Sequence, residues 1–174
     1  MKNIKFIFLI IIIGFISASI GVYFNKNLSP IISDSETKIF FNSESKNLNN
    51  ESIQHSQYKN KWLLVNFWAT WCAPCIEEIP ELNKLFRDND NIQLVGIAID
   101  DIDAVNKFIS KTPINYESLI SNDVKGVEIS KSLGNDRGVL PFTVLIKPNA
   151  KIQRVFYGKL DMVVLNSYLK DVIK

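Results

Sequence analysis

The chain has 174 residues, and its 20 Lys and Arg against 18 Asp and Glu leave a formal net charge of +2. That balance gives no sign of the clustered basic surface that nucleic acid requires. With 47% hydrophobic residues the chain can bury one core and carry an appendage, while two cysteines cannot form a disulfide framework.

The appendage comes first. Lys2 and Lys5 precede an uncharged run from Phe6 to Phe24, and at a rise of about 1.5 Å per residue these roughly 19 residues span about 28 Å, close to the hydrocarbon thickness of a bilayer. Residues 1–5 read as a cytoplasmic n-region and 6–24 as a transmembrane signal anchor. A cleaved signal peptide is the alternative, since Ser17, Ala18 and Ser19 supply small residues at a cleavage site. Both readings export the remainder, to a compartment where disulfides persist and dithiols need an electron supply. Residues 25–37 read as a tether and 38–174 as the folded domain. Short edge strands open that domain, one of them in the patch Lys38, Ile39, Phe40 and Phe41. His55, the single histidine, reads as a solvated loop residue, because no second ligand type clusters with it.

Strand and helix patterns then alternate. Residues 62–68 form an apolar, β-branched and aromatic run suited to a buried strand. Cys75, Ile79, Leu82 and Phe86 recur at helical spacing until Asp88, Asn89, Asp90 and Asn91 break the pattern. Residues 92–99 are continuously apolar, as in a strand covered on both faces, which completes a parallel βαβ unit. A helix follows the cap candidates Asp100 and Asp101, with Ile102, Val105 and Ile109 on one face, and stops before Pro113. Further on come a strand at 116–120 and a helix at 127–133 ended by Gly134. A hairpin of strands 142–146 and 152–157 follows, then a last helix capped by Asp161. The class is α/β, with a central mixed sheet flanked by helices.

Both cysteines lie in Val65-Asn66-Phe67-Trp68-Ala69-Thr70-Trp71-Cys72-Ala73-Pro74-Cys75, where strand gives way to helix. A bridge between them closes too short a loop to constrain the unfolded chain, so its use lies in opening and closing. Cys72, at the first turn, faces unpaired N–H groups and the positive end of the helix dipole, which favour thiolate. Cys75, one turn deeper among apolar neighbours, stays protonated. Cys72 is therefore the expected nucleophile and Cys75 the resolving thiol. Glu78 shares the stripe of Cys75, Leu82 and Leu85. Desolvation beside the buried sulfur would raise its pKa and fit it as a proton shuttle for Cys75; the alternative is a solvated acid at the margin of the face, like Glu77 or Glu81. Pro74 stiffens the first turn, and Pro80 removes one hydrogen bond within the helix, where a kink is expected.

The run FWATWCAPC followed by Ile76-Glu77-Glu78-Ile79-Pro80 resembles the active site of the TlpA/ResA-like thiol-disulfide reductases, the membrane-tethered branch of the thioredoxin superfamily. The resemblance covers about residues 60–174, including Val139-Leu140-Pro141-Phe142-Thr143. It implies a thioredoxin-like fold and a protein-disulfide reductase whose only redox group is the Cys72–Cys75 pair, with no metal and no other cofactor. It also implies a cis Pro141 against the dithiol, a Leu140 backbone free to pair with substrate, and Trp71 and Pro74 bordering the substrate groove. The implied partners are disulfide-bearing exported proteins and a membrane thiol electron donor. The implied location is a single pass in the cytoplasmic membrane, with the catalytic domain on the periplasmic or extracytoplasmic side.

Asn66 stands where ordinary thioredoxins carry a buried aspartate, so that role passes to Glu78. The segment before Pro141 lacks the Gly-Val-Tyr-Gly-x-Pro-Glu pattern of the dedicated cytochrome c maturation reductases. The main expectation is thus a general reductase of exported disulfides, with two alternatives: a reductase dedicated to cytochrome c maturation, acting on apocytochrome c, or a Cu(I)-handling protein that uses both thiolates. His55 is poorly placed by sequence to complete a copper site. A peroxidase is disfavoured by the lack of a separate peroxidatic cysteine.

Overall fold

A computed structural model describes residues 36–173. The expected anchor at 6–24 and all but the end of the expected tether lie outside the described residues. The described chain runs α1 (Glu36–Phe41), β1 (Glu44–Lys46), β2 (Ser52–Gln54), a 3-10 turn (His55–Tyr58), β3 (Trp62–Trp68), α2 (Ala73–Asp88), β4 (Ile92–Ile99), α3 (Ile102–Ile109), β5 (Glu117–Ser121), α4 (Asp123–Ser132), β6 (Phe142–Ile146), β7 (Ile152–Tyr157) and α5 (Met162–Val172). The strands form one mixed sheet in the order β2-β1-β5-β4-β3-β6-β7. The inner pairs β3–β4 and β4–β5 are parallel, while β6 and β7 close one side and β1 and β2 the other in antiparallel pairing.

Period-two alternation along β3 sorts the core into two layers. Leu63, Val65 and Phe67 join Val95, Ile97, Phe142 and Val144 on the face covered by α1 and α4. Leu64 joins Leu82, Leu94 and Leu165 on the face covered by α2 and α5, and Trp68 joins Cys75, Ile79 and Val105 towards the carboxyl end of the strands. Asn66 is the one polar residue of β3, and it is buried on this second face. The helix α2 continues through Pro80, which is exposed. Asn122 caps α4 by accepting from the Lys125 N–H at 3.0 Å. Gly134, with φ of 104°, ends it: Gly134 N–H donates to Lys131 C=O and Asn135 N–H to Ser130 C=O, the six-to-one closure that needs a left-handed residue. Asp161 caps α5, accepting from the N–H groups of Val163 and Val164. On β7, an edge strand, the Arg154 guanidinium lies over the rings of Phe156 and Tyr168 at 5.1 and 4.5 Å.

Two expectations are corrected at the amino end of the domain. The patch at residues 38–41 is helix, not strand. Thr37, Phe40 and Phe41 are all buried, an i, i+3, i+4 pattern that only a helix can turn to one side. His55 is not solvated: it has no exposed surface, and the 3-10 turn folds it beneath α1, 4.6 Å from the Phe40 ring. Its Nδ1 lies 3.1 Å from the Phe40 carbonyl and its Nε2 2.9 Å from Ser45 Oγ. A carbonyl can only accept, so the proton sits on Nδ1 and Nε2 accepts from the hydroxyl.

Burial holds the His55 pKa down at about 4, against the opposing pull of the Phe40 carbonyl. The unfolded chain takes up this proton near the ordinary value of about 6.5 and the folded chain only near 4, so acidification between those values favours unfolding. Urea titrations at pH 7 and pH 4 should show the wild type losing about 3 kcal/mol more than a His55→Gln variant does over the same interval.

Candidate active site

The parallel pairing of β3 with β4 places Trp68 opposite Ala98, so the loops leaving the two strands start side by side. Asp100, two residues beyond that pair, accepts from both the N–H (2.9 Å) and the hydroxyl (2.6 Å) of Thr70 through Oδ2. The loop is then turned by Cys72 N–H donating to Ala69 C=O, and α2 begins with Ile76 N–H donating to Cys72 C=O. Cys72 is the N-cap residue and Pro74 the second helical residue, where its missing N–H costs no helix bond. Cys72 and Cys75 are joined as a disulfide. Cys72 retains a small exposed edge of 6%, and Cys75 has none.

Glu78 lies one turn beyond Cys75 and has no exposed surface. Asn66 Nδ2 donates to its Oε1 at 2.7 Å and to Thr143 Oγ1 at 3.0 Å, and the backbone N–H of Leu160 donates to its Oε2 at 3.0 Å. Three elements thus close on one carboxyl group: α2 carries it, β3 holds one oxygen, and the loop between β7 and α5 holds the other. Burial raises its pKa. The Leu160 and Asn66 donors and the charge of Lys159 act the other way, and Glu81 adds to the rise. Lys159 itself is tied to Glu77 at 2.8 Å on the exposed side of α2.

The Leu140–Pro141 bond is cis. Pro141 is buried, and Leu140 packs against the cluster that contains Cys72, Cys75 and Trp68. Asn135, nearly fully buried, clamps the segment by donating from Nδ2 to Val139 C=O and accepting the Val139 N–H, both at 3.0 Å. Gly158 N–H donates to Pro141 C=O. The backbone groups of Leu140 have no partner among the described residues. Trp71 is 70% exposed beside the dithiol, and Pro74 is also exposed.

The structure therefore brings Cys72, Cys75, Glu78, Leu140 and Pro141 to one end of the sheet. His55 lies apart, on the opposite face with Phe40 and Tyr58, and both its ring nitrogens are engaged. Among the described residues no group of three or more His, Cys, Asp and Glu could hold a metal ion. Sequence reasoning took Asp100 for a cap candidate and overlooked Asn135, Thr143 and the Leu160 N–H. Of these, only Asp100 carried a signal, because parallel strands of matched length bring the residues just past their ends together.

A mixed sheet with the cysteine pair at the end of its central parallel strands, a cis-proline beside it and an acid behind it defines a thioredoxin-fold thiol-disulfide oxidoreductase. Comparison with known proteins gives the same class. Residues 37–155 match the AhpC/TSA family, and the chain belongs to it, as a ResA/TlpA-like thiol-disulfide oxidoreductase of the thioredoxin superfamily. It is similar to the thiol-disulfide oxidoreductase ResA of Oceanobacillus iheyensis, with 30% identity over 131 residues covering 74% of this chain and 66% of that one. Against ResA of Bacillus cereus it is 28% identical over 185 residues, covering 99% of both chains. Among solved structures, a thioredoxin-related protein from Neisseria meningitidis serogroup B superposes with a TM-score of 0.66 at 29% identity, covering 74% of this chain and 96% of that one.

Replacing Asn66 by Asp would set a second carboxyl group against Glu78 Oε1 in place of a donor. Both acids then ionise with difficulty in the folded state, so folding takes up protons near neutrality and stability falls as pH rises. Asn66→Asp should be less stable than wild type by about 2 kcal/mol at pH 8, with most of the loss recovered at pH 5, as read by urea denaturation.

Proposed function

We propose that the chain reduces disulfides of exported proteins at Cys72 and Cys75 and is itself re-reduced by a thiol donor in the membrane. The observation that carries this reading is the buried Glu78 carboxyl group one helical turn from Cys75, held by two donors and raised in pKa. The Cys72 thiolate attacks one sulfur of the client disulfide, and the second client sulfur leaves as a thiolate and takes a proton from water. Cys75 then gives its proton to Glu78 and attacks Cys72 Sγ. The first client sulfur is released, and two electrons have passed to the client. Trp71 and the unpaired Leu140 backbone supply a flat apolar surface and a strand edge against which an extended client segment can lie.

Of the substrate ranges set out above, the ResA-type relatives favour the narrower one, a reductase dedicated to cytochrome c maturation, over a general reductant. The segment preceding Pro141 is Asp136-Arg137-Gly138-Val139-Leu140, so client choice would depend on a loop of this chain's own design.

A Cys75→Ala variant cannot resolve its mixed disulfide and should trap the client on Cys72. Recovery of apocytochrome c as the main adduct is the expected result; a broad set of unrelated exported proteins would restore the general reductase. Glu78→Gln should slow client reduction at least tenfold near pH 7 and remove one limb of its pH profile. An unchanged rate and profile would exclude Glu78 as the proton acceptor.

A further inference from the structure

The loop that leads into the cis-proline is held by a side chain that the chemistry at the sulfurs does not use. Residues 135–138 form a turn: Gly138 N–H donates to Asn135 C=O at 3.0 Å, and Gly138, with φ of 62°, takes the left-handed conformation that costs glycine least. Asp136, Arg137 and Gly138 are exposed at its tip, yet Asn135 at its base is 1% exposed. Both ends of the buried amide are committed to one residue, since Oδ1 accepts the Val139 N–H and Nδ2 donates to the Val139 C=O, each at 3.0 Å. The partners fix which end is which, because an N–H can only donate and a carbonyl only accept. The base of the turn is itself anchored on two sides. Asn135 N–H donates to Ser130 C=O of α4 at 3.1 Å, and the Tyr157 hydroxyl of β7 donates to Gly134 C=O at 2.6 Å.

One amide that donates to and accepts from the same residue copies the double hydrogen bond by which an antiparallel strand pairs with its neighbour. Asn135 thus stands in for a strand on one side of Val139. A residue before proline is confined to extended backbone, and successive residues of an extended chain send their main-chain groups to opposite sides. With the Val139 pair turned to Asn135, the Leu140 pair faces the other way, where it has no partner among the described residues. The Leu140 side chain meanwhile packs on the cluster that holds Cys72 and Cys75.

We propose that Asn135 is a positioning residue for client docking: by pairing with both main-chain groups of Val139 it fixes the next residue, Leu140, with its own N–H and C=O presented to an extended client segment. The proposal rests on the reading of Leu140 as the edge that receives the client. The clamp orders this edge before the client arrives, so the client does not bear the cost of ordering it. Without the clamp the segment can rotate, and docking weakens while the sulfur chemistry is left as it was.

The test uses the full chain, pre-reduced, and an extended peptide whose one cysteine carries thionitrobenzoate in a mixed disulfide. The Cys72 thiolate bonds to the peptide sulfur, coloured thionitrobenzoate leaves with the electron pair, and Cys75 then displaces the peptide thiol. The same mixed disulfide of mercaptoethanol has no backbone to dock. Asn135→Ala should raise the half-saturation concentration for the peptide about fivefold, the effect of one lost hydrogen bond. The limiting rate, and the rate with the mercaptoethanol compound, should stay within about twofold of wild type. An unchanged half-saturation concentration overturns the proposal, and so does a fall in both rates together, which would make Asn135 a general support of the fold. If the wild type itself handles the peptide no better than the mercaptoethanol compound, the docking reading fails and takes the proposal with it.

Amide hydrogen exchange read by NMR decides the matter without altering Asn135. In the free reduced chain the Val139 amide should be protected and the Leu140 amide should exchange freely. In Cys75→Ala, with the peptide trapped on Cys72, the Leu140 amide should become protected. A Val139 amide that exchanges as fast as that of Leu140 overturns the clamp, and a Leu140 amide still open in the adduct leaves Asn135 nothing to position.

Discussion

The arrangement depends on keeping one carboxyl group out of water. An ionised acid in an apolar interior is strongly disfavoured unless donors surround it, and here β3 and the loop after β7 each contribute one to Glu78. Those contacts bind three separate parts of the chain around the inner sulfur. Burial raises the pKa of the acid, and the same donors oppose that rise. The short disulfide beside it adds little to stability, so the energetic weight of the site rests on this polar triangle and on the apolar cluster of Trp68, Ile79 and Val105.

The central strands, α2 and the last helix were legible because each has a strong local signal: a β-branched and aromatic run, a helical stripe, an Asp cap. The cysteine pair was legible for the same reason, since a strand feeding a helix puts the first sulfur at the helix start. The errors lie where long-range packing overrides local composition. Residues 38–41 look like a short strand, yet two adjacent phenylalanines and Thr37 can reach one core only through a helix. His55 sits in a polar stretch and is nevertheless buried, because a carbonyl and a hydroxyl distant in sequence satisfy its two nitrogens. The clamp by Asn135 and the donor from Leu160 could not be read at all, since each depends on a loop placed by tertiary contacts.

Asn66 shows how one substitution redistributes a function. It occupies a sheet position facing the reactive helix and supplies a donor. The acid sits on the helix instead, one turn from Cys75. An acid on the helix is carried by the same element as Cys75, so the spacing between its carboxyl group and the inner sulfur is set within α2.

The Arg154 stacking on β7 bears on how this protein behaves in company. A bare outer strand is a template on which another molecule's strand can hydrogen-bond. The guanidinium, laid over Phe156 and Tyr168, covers apolar ring surface and puts a fixed positive charge in the middle of that border. A second copy approaching the same border would bring its own identical charge against it, so self-association along β7 is opposed.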